Sequence, residues 1–544
     1  MSPMAKATVV TRVLGGDRLE CRVVSPSGLE LVLSGATGDV EPEVDGSSLL
    51  ARNQALINNA WAHAKFTHLK VSLPTEAEQE NAEKRADAHE RLVRWLADLA
   101  DDVVVDTKQA WCSGCFTHAE HRKGKRPIGH LPASVCANCG SPTLPCADPT
   151  CDHMAIRGRG AIRVPRYCAE HRHEIAAFEK AAQKIDSLVD YAELFEYEEP
   201  NLSRVTKVVG GSLAVVALAA PAALVAAPAI GGAVGSLVGG YSGAVASSYG
   251  LALLGGGPIA AGGLGMAGGT VVVTALGAAL GGTVGASITN AYVREDKSFH
   301  IEMLQGGSGT AVIVCNGFLS ESGRGWGEWK KLVRTRYPDS PVYRVHWGAK
   351  ELRDLGILTG YSAINVAAPA AIKKAAMAAT KEGAAMLGPL APVLAAAGLA
   401  KNPWHVAKNR ADKTGVIVAD LLARTRAVSY VLIGHSLGAR AMAVAAETLG
   451  TNEGAPRIEA AHLTGAAIGA AGDWTNLTAR VDDAIYAYHS SDDGVLKWLY
   501  RSAQGGQRAA GSVGFTPAPE KLVNVDVSEC VHSHADYYTE VDLL

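Results

Sequence analysis

Charged side chains are missing from one long stretch of this chain, and neither sign of charge dominates the rest. Residues 208–293 contain no Asp, Glu, Lys, Arg or His. The 544-residue chain has 51 basic and 54 acidic residues, a formal net charge of −3, which argues against a protein that coats nucleic acid. The N-terminus lacks the apolar core of a secretory signal, so we expect no export by the general secretory route.

Cysteine is scarce outside one cluster, because seven of the ten cysteines lie between Cys112 and Cys168. Such density is typical of metal ligation rather than of scattered disulfides, and it indicates a reducing compartment. A tetrahedral zinc ion takes four thiolate or imidazole ligands, so eight such residues predict two structural zinc ions. Sequential pairing assigns Cys112, Cys115, Cys136 and Cys139 to one ion and Cys146, Cys151, Cys168 and His171 to the other. An interleaved pairing of the same eight residues stays open, as does substitution by His118, His121, His130, His153 or His173.

The uncharged stretch predicts a membrane-inserted helical hairpin over residues 205–293. At about 20 residues per crossing it has room for more than one span. Glycine recurs at every fourth position from 231 to 243 and again from 277 to 285, a spacing that lets membrane helices pack closely and could support homo-oligomers. Because alanine and glycine are nearly neutral for insertion, a buried hairpin in a soluble protein is the alternative.

The remaining sequence divides by its periodicity. Short alternating runs over residues 7–33 predict a small β-meander, and residues 75–99 predict an amphipathic helix. A second helical pattern covers residues 173–196 and ends at Pro200. The predicted regions are an N-terminal part (1–105), a zinc-binding module (106–175), a helical linker (176–204), the glycine-rich segment (205–293) and a catalytic domain (298–544).

The C-terminal region alternates between short apolar runs of β type and helical stretches. This pattern predicts an α/β fold with a mostly parallel sheet and helices on both faces. The predicted strands lie within residues 310–318, 341–348, 428–434, 458–469 and 483–490.

The motif Gly434-His435-Ser436-Leu437-Gly438 stands between one of these strands and an alanine-rich helix. In a nucleophile elbow, glycines permit a strained turn that lifts the serine hydroxyl above the sheet, and the helix N-terminus stabilises developing negative charge. The motif therefore predicts that Ser436 is a nucleophile. His435, inside the elbow, is expected to be a packing residue rather than a base.

A serine nucleophile needs a base and an orienting acid, which in this fold follow in the order Ser, Asp, His. Asp492 and Asp493 come directly after a predicted strand, and His532 and His534 lie near the end of the chain. The residues alone leave both choices open.

An oxyanion hole should use the backbone N–H of Leu437 and one from the loop after an earlier strand. Phe318, in the sequence Asn-Gly-Phe, is the expected second donor.

Four motifs, together with the cysteine cluster, carry a resemblance to a known family. They are "GGGPIAAGGLGMAGGT" (255–270), "NPWHVAKNRA" (402–411), "GHSLGARA" (434–441) and "LKWLYR" (496–501). Over residues 200–544 the chain resembles the transmembrane and coiled-coil domain family, membrane proteins that carry an α/β-hydrolase-like domain of unknown function. The resemblance implies lipase-like activity with Ser436 as nucleophile, Asp493 as acid and His534 as base.

The predicted function is therefore a membrane-associated serine hydrolase that cleaves a lipid ester. Residues 356–404 form an insertion rich in Ala, Leu and Pro between two strands, the composition of a lid that could open at a lipid surface. Cations flank both ends of the glycine-rich segment, which predicts a re-entrant hairpin or an even number of crossings, two or four, with both soluble parts in the cytosol. A non-catalytic membrane-perturbing or scaffold protein is the alternative.

Overall fold

The structure is a computed structural model of the 544-residue chain. It describes residues 6–15, 17–37, 42–73, 76–101, 103–124, 133–157, 167–196, 280, 289, 292–293, 296–317, 323–348, 403–472, 474–501 and 506–544. The expected glycine-rich hairpin (205–293) and lid (356–404) lie almost entirely outside these ranges. Within them, no helix has both the length and the apolar character needed to cross a bilayer.

The chain forms two compact units, and the first contains Met1–Gln183. The expected meander is a four-stranded antiparallel sheet in the order β1-β2-β3-β4. A short helix (α1) and two long helices (α2, α3) follow, and one apolar core joins β2 and β3 to α2 and α3. The bounds are β1 Thr8–Gly15, β2 Arg18–Val24, β3 Glu30–Ala36, β4 Glu43–Gly46, α1 Ser48–Ala51, α2 Gln54–Ser72 and α3 Glu76–Asp101.

The cysteine-rich region contains a five-stranded antiparallel sheet in the order β5-β6-β7-β8-β9. Its strands are β5 Val103–Trp111, β6 His118–Gly124, β7 Ser134–Cys136, β8 Pro142–Pro145 and β9 Met154–Ile156. The tight turns between these strands carry most of the cysteines.

The α-helix expected over residues 173–196 is wrong. His173 has a positive φ of 57°, and the helical structure in this range is two 3-10 helices, Lys180–Ala182 and Leu188–Phe195. Tertiary packing overrides the helical periodicity here. Phe178 is fully buried and stacks on Trp111 at a centroid distance of 5.5 Å.

The second unit contains Tyr292–Leu544 and a short earlier stretch, Lys184–Ala192. Its seven-stranded sheet has the order β10-β12-β11-β13-β14-β15-β16. All neighbouring strands are parallel except β10, which pairs antiparallel with β12 at one edge. The strands are β10 His300–Gln305, β11 Ala311–Cys315, β12 Val342–His346, β13 Ser429–His435, β14 Arg457–Thr464, β15 Ile485–His489 and β16 Leu522–Asp526.

Helices cover this sheet, so the α/β class expected from the alternating pattern is confirmed. The buried helix α6 (Leu437–Gly450) packs on β13, β14 and β11, and α5 (Pro403–Arg424) packs on α6. Helices α4 (Trp329–Arg336) and α9 (Tyr537–Glu540) share a core with the alternate residues of β11 and β13, which point to one face of the sheet. The helices are α4 Trp329–Arg336, α5 Pro403–Arg424, α6 Leu437–Gly450, α7 Thr475–Thr478, α8 Ala510–Val513 and α9 Tyr537–Glu540, with a π-helix at Val495–Tyr500.

Candidate active site and metal clusters

Ser436 occupies a strained turn between β13 and α6. Its backbone has φ 58° and ψ −120°, a conformation that costs a non-glycine residue about 1–3 kcal/mol and is typical of functional sites. The Ser436 amide donates to Thr464 O at 3.0 Å, which fastens the turn to the end of β14. The Ser436 hydroxyl is buried and has no hydrogen-bond partner among the residues that the structure describes.

Two glycines permit the close packing around this turn. A Cβ atom at Gly438 would lie 2.0 Å from the backbone oxygen of Cys315, at the end of β11. A Cβ atom at Gly317 would lie 2.4 Å from the Cβ atom of Ser436. Both distances are far below van der Waals contact, so a side chain at either position would force the loop after β11 away from the serine.

Asp493 and His534 form a fully buried pair. His534 Nδ1 lies 2.6 Å from Asp493 Oδ2, and both side chains are at most 1% exposed. The other oxygen of Asp493 accepts the amides of Val495 and Leu496 at 3.1 Å each, so the carboxylate also caps the π-helix. An ionised carboxylate only accepts hydrogen bonds, which assigns the proton to Nδ1 and the basic lone pair to Nε2 of His534.

Strand direction explains how residues distant in sequence reach the same edge of the sheet. Ser436 follows β13, Asp493 follows β15 and His534 follows β16, and these strands are parallel, so all three residues lie at the carboxyl edge of the sheet. The Ser490 hydroxyl donates to Val531 O at 2.6 Å, which ties the loop of Asp493 to the loop of His534.

The competing acid and base form a separate pair on the surface. Asp492 and His532 are 53% and 68% exposed, with 3.7 Å between Asp492 Oδ2 and His532 Nδ1. Only Asp493 and His534 are therefore held in a water-excluded contact at the edge that carries the serine.

His435 is buried among aromatic rings. Its ring centroid lies 4.6 Å from that of His534 and 4.7 Å from that of Tyr538, and its Nδ1 lies 3.2 Å from Thr464 Oγ1. Burial, and then the neighbouring His534, hold the pKa of His435 well below its usual range. A ring that stays neutral and packed in this way has the properties expected of a packing residue.

The loop after β11 is anchored by Asn316, which the sequence interpretation did not single out. Its side-chain oxygen accepts Trp329 Nε1 at 2.7 Å and Arg344 Nε at 3.0 Å, and its backbone oxygen accepts Trp347 Nε1 at 3.0 Å. The sequence feature that could have identified Asn316 is the Asn-Gly pair directly before Phe318. Phe318 itself lies outside the described residues.

The amide of Leu437 is the first of α6. The first amides of an α-helix have no acceptor within the helix. The Leu437 N–H is therefore available to an oxyanion beside the serine.

The eight expected metal ligands group sequentially rather than in an interleaved arrangement. Cys112, Cys115, Cys136 and Cys139 form one cluster in which each ligand atom lies within 4.8 Å of the others. The Sγ atoms of Cys112 and Cys139 are 3.9 Å apart, as are those of Cys115 and Cys136. Four thiolates at the Zn–S length of about 2.3 Å stand about 3.8 Å apart in a tetrahedron, so this cluster has the dimensions of a metal site.

The second cluster contains Cys146, Cys151, Cys168 and His171. His171 Nδ1 lies 3.5 Å from Cys146 Sγ and 3.2 Å from Cys168 Sγ, so Nδ1 is the nitrogen that would bind a metal ion here. The other ring nitrogen, Nε2, lies 3.4 Å from Asp148 Oδ2. A carboxylate that holds the far nitrogen of a metal-binding histidine orients the ring, and the sequence interpretation missed this residue.

Three curated relatives share part of this sequence. The rice (Oryza sativa subsp. japonica) "Transmembrane and coiled-coil domain-containing protein STS1" is 27% identical over 290 residues, 50% of this chain and 42% of its own. An uncharacterized membrane protein of Schizosaccharomyces pombe is 31% identical over 150 residues, 27% of this chain and 19% of its own. "Probable lipase MIL1" of Saccharomyces cerevisiae is 30% identical over 139 residues, 25% of this chain and 13% of its own.

The chain thus spans less than half the length of each of these relatives. No solved structure matches it. One family model, described as "Protein of unknown function (DUF726)", matches residues 206–544, more than half of the chain. The resemblance seen in the sequence is confirmed, and the chain belongs to the DUF726 family.

Proposed function

We propose that this protein is a serine hydrolase with an α/β-hydrolase domain that cleaves a lipid ester through an acyl-enzyme. The observation that carries the proposal is the buried Asp493–His534 pair at the sheet edge where Ser436 holds a strained turn. Packing alone would not require a buried histidine hydrogen-bonded to a carboxylate at the edge of the sheet that carries a buried serine hydroxyl with no hydrogen-bond partner among the described residues. The likeness of 139 residues to a probable lipase agrees with the proposal.

In the proposed reaction, Ser436 Oγ attacks the ester carbonyl carbon while its proton moves to His534 Nε2. Asp493 stabilises the imidazolium and keeps the ring in the required tautomer. The Leu437 N–H, with the Phe318 N–H proposed as its companion, stabilises the oxyanion. His534 then protonates the departing alcohol, and water, deprotonated by the same histidine, releases the carboxylic acid from the acyl-enzyme.

The two cysteine clusters are proposed to hold one structural zinc ion each. The support is their spacing and their donor chemistry, since thiolate and imidazole are the ligands that zinc prefers. Four protein ligands in each cluster leave no open position. The ions would therefore fasten the turns of the β5–β9 sheet and take no part in ester cleavage.

Two features support a lipid as the proposed substrate. Residues 205–293 and 356–404 are apolar and are interpreted as a membrane segment and a lid, and two of the relatives are named as membrane proteins. The competing function is a non-catalytic membrane-perturbing or scaffold protein. A mobile, exposed serine would favour that alternative. The burial of Asp493 and His534 at the serine's edge of the sheet favours the hydrolase.

Covalent labelling tests the proposed function. A fluorophosphonate should label the wild-type chain at one residue, and Ser436→Ala should abolish the label because the nucleophile is gone. Ser491→Ala, an exposed serine in the loop of Asp493, is the matched control and should label like wild type. If Ser436→Ala were labelled as strongly as wild type, the proposed serine hydrolase function would be excluded. Assaying the unlabelled wild-type chain against a panel of lipid esters would then identify the substrate class.

The proposed topology has an even number of membrane crossings within residues 205–293, so that both soluble parts face the cytosol. Reduced thiolate ligands require the cytosolic side, and Arg204, Lys207, Arg294 and Lys297 flank both ends of the segment. Tags at residues 1 and 544 should show the same protease sensitivity in sealed vesicles. Protection of only one tag would contradict an even number, and a chain that stays soluble without detergent would contradict insertion.

A further inference from the structure

A third group of metal-ligand side chains lies in the second unit, on the edge strand β10 and its neighbour β12. His300 and His346 are direct register partners on these antiparallel strands. Glu302 is two residues beyond His300, so both side chains point to the same face of the sheet. The ligand atoms of His300, Glu302 and His346 all lie within 4.8 Å of one another.

The two imidazole rings are arranged face to face. Their centroids are 4.0 Å apart and the ring planes differ by 4°. His346 Nε2 lies 3.1 Å from Glu302 Oε2, while both oxygens of Glu302 accept the amide of Gly325, at 2.9 and 3.1 Å. The carboxylate is therefore oriented by the loop that covers this end of the strands.

One ring nitrogen in the group, Nε2 of His300, makes no hydrogen bond to the described residues. His300 Nδ1 lies 3.2 Å from the carbonyl oxygen of Ser298, so it carries the proton and donates. This leaves the lone pair on Nε2, which is buried and has no hydrogen-bond partner among the described residues. A histidine whose far nitrogen donates to a backbone carbonyl is oriented as metal-binding histidines are.

We propose that His300, Glu302 and His346 bind a divalent transition-metal ion of the zinc type. Two imidazoles and one carboxylate are a donor set that zinc accepts, whereas magnesium and calcium require mostly oxygen ligands. At bond lengths of about 2.0–2.2 Å the donors of a bound ion stand roughly 3.3 Å apart, so the two parallel rings must tilt toward a common point for the ion to bind. The ion would tie the edge strand and the loop at Gly325 to β12, with one coordination position open to water or a ligand.

Metal stoichiometry of the full-length chain tests this site. After dialysis against buffered Zn²⁺, wild type should hold one more zinc per chain than His300→Gln and Glu302→Gln. Gln at 302 keeps an acceptor for the Gly325 amide but removes the charged ligand, so the loop should keep its place. His68→Gln, which changes a histidine in α2 of the first unit, is the matched control and should hold as much zinc as wild type.

Thermal unfolding supplies a second measurement, because an ion that binds only the folded chain raises its Tm. Added Zn²⁺ should raise the Tm of wild type more than that of either variant. Equal zinc content and an equal Tm shift in wild type and both variants would overturn the proposal. The comparison is between chains with intact cysteine clusters and needs no esterase activity, so its outcome is independent of the serine hydrolase and of the other zinc ions.

Discussion

Replacing Asp493 with Asn should lower the rate of ester hydrolysis by roughly 10⁴-fold while leaving the fold intact. The Asn oxygen would still accept the amides of Val495 and Leu496, which now bond to one carboxylate oxygen. The Asn nitrogen would then face His534 Nδ1 and donate to it. The imidazole proton would move to Nε2, and the ring could no longer accept the proton of Ser436.

The surface pair supplies a matched control for this prediction. Asp492→Asn makes the same chemical change one residue away, at a carboxylate that is 53% exposed and 3.7 Å from His532. We expect its kcat for a short-chain ester to stay within about twofold of wild type, because screened surface pairs contribute little. Comparable losses in both variants, or a loss in Asp492→Asn alone, would reject Asp493 as the acid.

Replacing Cys136 with Ser should remove one zinc ion per chain and unfold much of the region between residues 106 and 175. Cys136 ends β7 and lies 3.9 Å from Cys115 across the first cluster. Structural zinc sites of this kind carry about 10–16 kcal/mol of apparent binding free energy, more than a small sheet with short strands can replace. Elemental analysis would measure the ion, and limited proteolysis would locate the unfolded region.

The control for this variant is Cys530→Ser, which changes an exposed cysteine outside both clusters. It should retain two zinc ions in the cysteine clusters and resist proteolysis like wild type. Fluorophosphonate labelling of Ser436 should persist in Cys136→Ser, because the cluster and the serine belong to different compact units. A Cys136→Ser chain with unchanged zinc content and protease resistance would contradict the metal site.

The sequence predicted the second compact unit better than the rest of the chain. Each of its five predicted strands appears in the sheet, because short runs rich in β-branched and aliphatic residues suit parallel strands buried between covering helices. It did not predict β10 or β16, whose exposed and polar residues reflect their places at the two edges of the sheet. An edge strand buries less side-chain surface, so its hydrophobic pattern is weak.

The helix expected over residues 173–196 failed for a different physical reason. Its apolar spacing suits a helix, yet Phe178 and Ile175 are buried in the same core as Cys146 and Cys168. Phe116 and Cys146 of that core lie 62 and 32 residues before Phe178 in sequence. Helical periodicity in a single segment carries no information about such partners.

The sequence by itself predicted the strained turn at Ser436 and two sets of four cysteine and histidine side chains with the spacing of metal ligands. Those features are local, since a strained turn needs its flanking glycines and a zinc knuckle needs two cysteines close in the chain. The family resemblance implied Asp493 and His534, and sequential pairing of the ligands was the expectation. Only the tertiary structure shows that Asp493 and His534 are buried together while Asp492 and His532 are exposed, and that the eight side chains lie in two sequential groups. Adjacent residues at a loop point in different directions, and burial and pairing depend on strands that meet only when the sheet has formed.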